Sequence, residues 1–212
     1  GRTRLLTAGK GGVPMPLVGM PGAALSPDGA RVLFETAGPL GDWDFNRSLD
    51  MFMGTVGGGV AELLSFRDPS LPVSTAGGGS TLSTRALSED GRWVLFTSLA
   101  RDLAQPAVEG IPVSHLFLRD MQSGVIRWIT RPNAARESTS GTIVNPVLSR
   151  DGNRVFFSST RSDLVTDDTN GVADVFLYER STDSLRAISA RNGGGGTGSG
   201  AWTLAAVDGA GR

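Results

Sequence analysis

The chain has 212 residues, a formal net charge of −1, one histidine and no cysteine. The near-zero charge gives no electrostatic reason to expect binding to nucleic acid or to an anionic membrane, and the absence of cysteine excludes disulfides and thiolate metal sites. No apolar run approaches the ~18 residues of a membrane-spanning helix, so we expect no membrane span.

The first predicted element lies within residues 1–7. The sequence at 3–7, Thr-Arg-Leu-Leu-Thr, matches the fourth strand of the repeat unit that follows, so we predict the last, outer strand of a preceding unit there. The glycine-rich stretch 9–12 then lacks the upstream Gly and the Ser or Thr after Lys that a phosphate-binding loop needs. We therefore predict no nucleotide or other organic cofactor.

Residues 23–65 form the first complete unit. The Ser-Pro-Asp-Gly sequence at 26–29 stands between two short apolar runs, which indicates a hairpin with a tight two-residue turn, because Gly takes positive φ without steric cost. The apolar run 32–34 does not alternate with polar residues, so we expect that strand to be buried on both faces. A third strand is predicted around Phe52 and a fourth ending at Ser65.

The same unit recurs at residues 85–130 and 146–189. Asp-Gly pairs stand at positions 28, 90, 151 and, in a degenerate copy, 208, so the spacings are 62, 61 and 57. In each complete copy a central Phe of the third strand precedes a Ser or Thr of the fourth by 13 positions: Phe52 to Ser65, Phe117 to Thr130, and Phe176 to Ser189. Each unit is therefore predicted to be a four-stranded antiparallel sheet. Such sheets bury enough surface only by stacking, which they do radially in a β-propeller.

Residues 203–212 are predicted to begin a further unit. The fold class is accordingly all-β: a β-propeller fragment with three complete four-stranded blades, one outer strand at the N-terminus and one inner strand at the C-terminus. Closed propellers have about 4–8 blades. We therefore expect the chain to be a piece of a larger propeller.

The repeated pattern Ser-x-Asp-Gly-x-x-Val-x-Phe, followed by a strand with a central Phe, resembles the TolB-like (WD-like) β-propeller repeat. Pro27 of the family's Ser-Pro-Asp-Gly is replaced by Glu89 and Arg150 in the other copies. The resemblance implies a non-catalytic scaffold for protein–protein binding, in the periplasm or secreted. Similar repeats occur in prolyl-oligopeptidase-type serine peptidases, so the alternative is the propeller portion of such an enzyme whose catalytic domain lies outside this chain. The chain contains no Gly-x-Ser-x-Gly elbow and only one histidine, so a triad within it is not credible.

Two acidic loops between second and third strands raise the question of a metal. Oxygen-bearing side chains alternate in the first blade and align with a second set in the third blade; the candidate calcium ligands are Asp42, Asp44, Asn46, Asp50, Asp168, Asn170 and Asp174. Alternating oxygens suit calcium. Asx turns, in which Asp or Asn bonds nearby backbone N–H groups, explain the same pattern, and the Glu that would complete a calcium loop is absent. The residues leave both interpretations open and favour the turns.

A binding face is predicted where the long loops gather. The loops between second and third strands and the connections between blades share one end of an up-and-down sheet, and such loops usually carry binding sites. The candidate partner-binding residues there are Trp43, Arg131, Arg136 and Trp202. Packing of loops against one another is the alternative role of the tryptophans. The single His115 occupies the position of Asp50 and Asp174 in the other copies, so we interpret it as a substitution at the start of a strand and not as a catalytic base.

Overall fold

The computed structural model describes residues 23–38, 48–66, 77–100, 102–104, 113–132, 140–189 and 198–208. The strand predicted within residues 1–7 lies outside this part of the chain. The chain divides into two compact units: Gly1–Leu82 with Ser98–Glu109 form the first, and Ser83–Thr97 with Gly110–Arg212 form the second.

Blade one is a four-stranded antiparallel sheet in the first unit. Its strands follow the order β1-β2-β3-β4 and are β1 (Ala23–Leu25), β2 (Arg31–Thr36), β3 (Asp50–Thr55) and β4 (Glu62–Leu63). Each strand pairs with its neighbour in the chain, as the repeat predicts.

Blades two and three together form an eight-stranded sheet. Blade two contains β5 (Ser80–Leu87), β6 (Trp93–Ser98), β7 (His115–Asp120) and β8 (Ile126–Trp128). Blade three contains β9 (Ile143–Leu148), β10 (Arg154–Ser159), β11 (Asp174–Glu179) and β12 (Ser184–Ala187). The strand order β12-β11-β10-β9-β5-β6-β7-β8 places the two inner strands side by side, parallel, with Arg85 opposite Val147. Neighbouring propeller blades present their inner strands in this way. The predicted all-β class of four-stranded blades is thus confirmed in the described residues.

The hairpin between the first and second strands has the same closure in every blade. In blade three the Ser149 hydroxyl donates to Oδ1 of Asp151 (2.5 Å) and accepts a hydrogen bond from the N–H of Arg154 (2.8 Å). Gly152 takes the expected positive φ of 67°. The prediction of a two-residue turn is wrong, however. The backbone N–H of Ser149 donates to the carbonyl of Arg154, so the loop between them contains four residues. A four-residue loop is stable here because the Ser and Asp side chains accept hydrogen bonds from backbone N–H groups that are not paired between the strands. Equivalent bonds join Ser26 to Asp28 and Ser88 to Asp90.

The core of the second unit lies between blades two and three. Val155 and Phe157 of β10 point into it, while Phe156 lies on the opposite face and is buried against Leu177 and Val207. Burial of β10 on both faces is therefore confirmed. The buried core residues are Trp93, Leu95, Leu116, Leu118, Ile129, Leu148, Val155, Phe157, Leu164, Phe176 and Tyr178.

The inner strands begin earlier than predicted. β5 starts at Ser80 instead of 85, and β9 starts at Ile143 instead of 146. The first residues of β5 are polar, and the Ser80 hydroxyl donates to that of Ser98 over 2.9 Å, so no apolar run marks this part of the strand. β9 contains a bulge at Asn145, which has a φ of 50° where the register with β10 shifts. Asn is among the few side chains that tolerate this conformation.

Residues 201–208 contain no assigned strand. The N–H of Leu204 donates to the hydroxyl of Ser158 (2.6 Å), and the carbonyl of Val207 accepts from Arg85 Nη1 (3.0 Å). Leu204 and Val207 also cover the face of blade three that carries Phe156. That these residues begin a further blade stays a prediction.

Candidate functional site

The loop end of blade three contains three segments: residues 140–142 before β9, 160–173 between β10 and β11, and 198–202 after β12. The N–H of Thr142 donates to Oγ1 of Thr160 over 3.0 Å, and the N–H of Thr160 donates to the carbonyl of Thr142 over 3.3 Å. The N–H of Trp202 donates to the carbonyl of Ala173 over 2.6 Å. These bonds tie the segments to the ends of the strands, so the loop end is anchored to the sheet.

Asn170 organises the acidic loop of blade three. Its Nδ2 donates to Oδ2 of Asp174 (2.7 Å) and to the carbonyl of Gly198 (2.6 Å), while its Oδ1 accepts from the N–H of Val172 (2.9 Å). The last bond is an Asx turn. The amide therefore directs a donor at Asp174, whereas calcium requires oxygen ligands. This geometry supports the Asx-turn interpretation for Asn170; Asp168 is buried in the same loop.

Asp174 and Asp50 share a structural role in their blades. The Ser189 hydroxyl donates to Oδ1 of Asp174 over 2.6 Å and accepts from the N–H of Val175 over 3.1 Å. In blade one the Ser65 hydroxyl donates to Oδ1 of Asp50 over 2.7 Å, and it accepts from the N–H of the residue after Asp50 over 3.1 Å. Both carboxylates therefore join the start of a third strand to the end of a fourth, which accounts for the constant spacing of 13.

The remaining metal candidates lie outside the described residues. These are Asp42, Asp44 and Asn46, so a calcium site in blade one stays a prediction. Within the described stretches, no group of three or more His, Cys, Asp or Glu side chains is placed to hold a metal ion.

Two of the four candidate partner-binding residues, Trp202 and Arg131, lie in the described part of the chain, in different surroundings. Trp202 belongs to the loop end of blade three; its side chain is half-exposed (53%) and lies on Gly198, where a Cβ atom would come within 2.9 Å of the indole Nε1. Arg131 is exposed at the end of blade two, where its Nε donates to the carbonyl of Trp128 over 3.1 Å. Trp43 and Arg136 lie outside the described residues.

The structure also contains a buried polar cluster that the sequence analysis missed. Arg161 is fully buried; its Nε and Nη2 donate to the two carboxylate oxygens of Asp163 over 2.9 and 2.7 Å. Its Nη1 lies 2.9 Å from Nδ1 of His115, which also accepts from the indole Nε1 of Trp128 over 3.0 Å. Since arginine and indole only donate, Nδ1 accepts and the ring proton of neutral His115 lies on Nε2.

The surroundings of His115 lower its pKa from 6.5 to about 4. Burial is the largest cause, because it penalises the charged ring, and the positive charge of Arg161 is the second. The ring is 2% exposed. At neutral pH it is an uncharged acceptor inside the protein.

A signal for this cluster does exist in the repeat. His115 stands where the other blades have Asp, and Arg161 aligns with Ala100 of the preceding copy. In both copies the residue at this position donates its N–H to a Ser hydroxyl two positions earlier, over 3.1 Å for Arg161 and 3.0 Å for Ala100. Two residues that depart from the repeat, one in each of two neighbouring blades, indicate a contact between those blades.

A search of the described residues for helices long and apolar enough to cross a membrane finds none. No family model matches the chain, and no curated protein matches it.

Solved structures do resemble it. A protein described as TolB from Agrobacterium tumefaciens is 18% identical over 78% of this chain and 44% of its own length, with a TM-score of 0.45. TolB from Acinetobacter baumannii is 14% identical over 87% of this chain and 34% of its own, also with a TM-score of 0.45. The tricorn protease is 12% identical over 82% of this chain and 16% of its own, with a TM-score of 0.44. The chain spans less than half the length of each of these proteins, and it is similar in structure to TolB proteins.

Proposed function

We propose that this chain is a non-catalytic β-propeller scaffold that binds a protein partner through the loop end of its blades. The observation that carries the proposal is Trp202: a large aromatic side chain is half-exposed while its own backbone is bonded to Ala173 at the start of β11. Tryptophan and arginine are enriched among the residues that dominate binding energy. An aromatic side chain on an anchored backbone loses little conformational entropy when a partner covers it.

The environment of His115 supports a non-catalytic role for the described residues. A general base must reach the proton that it removes. His115 is buried, and its acceptor nitrogen Nδ1 is already bonded by Arg161 and Trp128. In the alternative, where the chain is the propeller portion of a serine peptidase, catalysis would also reside outside these residues.

The experiment is a quantitative capture assay with matched variants. Immobilised wild-type chain, Trp202→Ala and Arg131→Ala are exposed to the same extract, and bound proteins are measured by mass spectrometry. Val125→Ala is the control, because Val125 is also half-exposed but lies in the turn between β7 and β8. We expect Trp202→Ala to weaken binding of a specific partner about tenfold or more, as removal of a central aromatic does. A partner retained equally by wild type and by both loop-end variants would contradict the proposed face.

The coding sequence on either side of this chain separates the two classes of scaffold. A Gly-x-Ser-x-Gly elbow with a later Asp and His would favour the peptidase. In that case the partner of the loop end would be the protein's own catalytic domain.

A further inference from the structure

His115 and Arg161 join blade two to blade three at the loop end of the second unit. His115 begins β7, and Arg161 follows β10 by two residues. The contact between Arg161 Nη1 and His115 Nδ1 is 2.9 Å long, and both side chains are at least nine-tenths buried. Packing around the aliphatic part of Arg161 is tight, because a Cβ atom at Gly141 would come within 2.5 Å of Arg161 Cγ.

The charges that act on His115 are those of Arg161 and Asp163. Arg161 is permanently protonated, and Asp163 neutralises it through two hydrogen bonds. From β8 and the turn after it, Trp128 and Thr130 contribute an indole N–H and a hydroxyl, neither of which is charged near neutral pH. One carboxylate therefore balances one guanidinium, and the cluster is neutral only while the imidazole is neutral.

Protonation of His115 would convert this contact from attractive to repulsive. Nδ1 would become a donor facing two other donors, Arg161 and Trp128, and a second positive charge would lie 2.9 Å from the first with only Asp163 to offset both. A buried charge without a partner is strongly unfavourable. Burial, and after it the positive charge of Arg161, lower the pKa of His115 for this reason.

We propose that His115, Arg161 and Asp163 form an acid-sensitive latch: uptake of a proton by His115 breaks its contact with Arg161 and releases the segment 160–163 from blade two. In the described residues, the other blades show no such arrangement. Their third strands start with Asp50 or Asp174, each of which accepts a hydrogen bond from a Ser hydroxyl. The latch does not depend on the proposed function. If the loop end binds a partner, the latch makes that binding weaker in acid.

The direction of the pH dependence follows from linkage. The closed latch holds neutral His115 with its pKa lowered to about 4, whereas an open latch would expose a ring with its ordinary pKa of 6.5. Opening therefore takes up a proton in the window between these values. The opening constant should rise roughly tenfold for each pH unit as the pH falls through that window, and should level off below it.

Two measurements test the latch. The first is an NMR titration of the ring of His115, which is unambiguous because the chain has one histidine. The second is amide hydrogen exchange of residues 160–163, corrected for the intrinsic effect of pH, in wild type and in His115→Asn. Asn is neutral at all these pH values, and its Oδ1 replaces the acceptor Nδ1.

In wild type we expect ring titration well below pH 6.5 and an opening constant with the stated slope. In His115→Asn the opening constant should be independent of pH down to the range where carboxylates titrate. Equal slopes in the two proteins, or ring titration at the ordinary histidine pKa, would overturn the proposal. If His115→Asn does not fold, the exchange of wild type decides: an opening constant that does not rise as the pH falls through the window would overturn the proposal.

Discussion

Phe157 of β10 stacks on Phe176 of β11, with ring centroids 5.4 Å apart and the ring planes inclined by 17°. The two residues are directly opposite in the antiparallel register, and both are fully buried. The same cross-strand stack occurs in the other blades, between Phe34 and Phe52 at 5.8 Å and between Phe96 and Phe117 at 5.6 Å. The repeat therefore places one aromatic pair in the middle of every described blade.

The stack in blade three predicts a large effect of core truncation. We expect Phe157→Ala to lower the free energy of unfolding by about 3–5 kcal/mol, because the cavity loses both transfer and contact energy. Phe157→Leu should cost less, since it retains most of the apolar volume. The exposed Val125→Ala should change stability by less than about 0.5 kcal/mol. Urea unfolding followed by tryptophan fluorescence measures all three variants, and similar effects for Phe157→Ala and Val125→Ala would contradict the stack's role.

The Asp-Gly turns offer a comparison between two glycines with one backbone conformation. Gly91 and Gly152 have φ values of 69° and 67°. A Cβ atom at Gly91 meets nothing within 4 Å, but at Gly152 it would approach Cδ1 of Trp93 to 2.4 Å. Trp93 is held there by the guanidinium of Arg180, 4.0 Å from the ring centroid, so it cannot easily move away.

Gly91→Ala should therefore cost about 1–2 kcal/mol for the left-handed conformation alone. The loss of stability in Gly152→Ala should be larger by about 1–3 kcal/mol, which is the usual cost of overpacking. The difference between the two variants in thermal or urea unfolding isolates the contact with Trp93. Equal losses of stability would show that this contact imposes no constraint.

The ion pair of Arg92 and Asp120 predicts a specific acid sensitivity. Nε and Nη2 of Arg92 donate to the two carboxylate oxygens over 2.9 and 2.7 Å, and these hydrogen bonds are the largest cause that lowers the pKa of Asp120 below 3.8. A carboxyl whose pKa is lowered on folding stabilises the protein above its ordinary pKa, and this contribution is lost as the pH falls below that value.

In Arg92→Gln we expect the pKa of Asp120 to rise towards 3.8 and stability to fall less steeply below that pH than in wild type. Carboxyl-carbon NMR measures the pKa, and urea unfolding at several acidic pH values measures the slope. The control is Arg150→Gln at another exposed arginine. An Asp120 pKa that is unchanged in Arg92→Gln would refute this assignment.

Calcium titration tests the two interpretations of the acidic loops. A site with a dissociation constant 100-fold below the calcium concentration would stabilise the fold by about 2.7 kcal/mol. The amide nitrogen of Asn170 faces Asp174. We therefore expect that the acidic loop of blade three causes no shift of the thermal midpoint at millimolar calcium. If a shift is observed, Asp168→Asn and Asp44→Asn identify the loop that causes it.

Local patterns were sufficient to predict most of the strands. The segments 32–34, 94–96 and 155–157 are strands because three apolar residues follow a turn that Gly makes possible, and each step depends on residues close in sequence. The constant spacing of 13 between Phe and Ser or Thr indicated a fixed connection. It did not reveal that Ser65 and Ser189 donate to Asp50 and Asp174, because a hydroxyl has no preferred partner in the sequence.

By itself, the sequence determined the repeat, the strand order within each unit and the burial of both sheet faces, since periodicity and turn chemistry are properties of neighbouring residues. Only the tertiary structure decided the partners of the polar side chains. His115 and Arg161 are 46 positions apart and meet because two blades stack. In the sequence, Asn170 has the pattern of a calcium ligand. In the structure, its amide nitrogen donates a hydrogen bond to the carbonyl of Gly198, 28 positions later. Hydrogen bonds are short and directional, so the roles of these side chains depend on which residues are close in three dimensions. The spacing of residues in the sequence does not predict this.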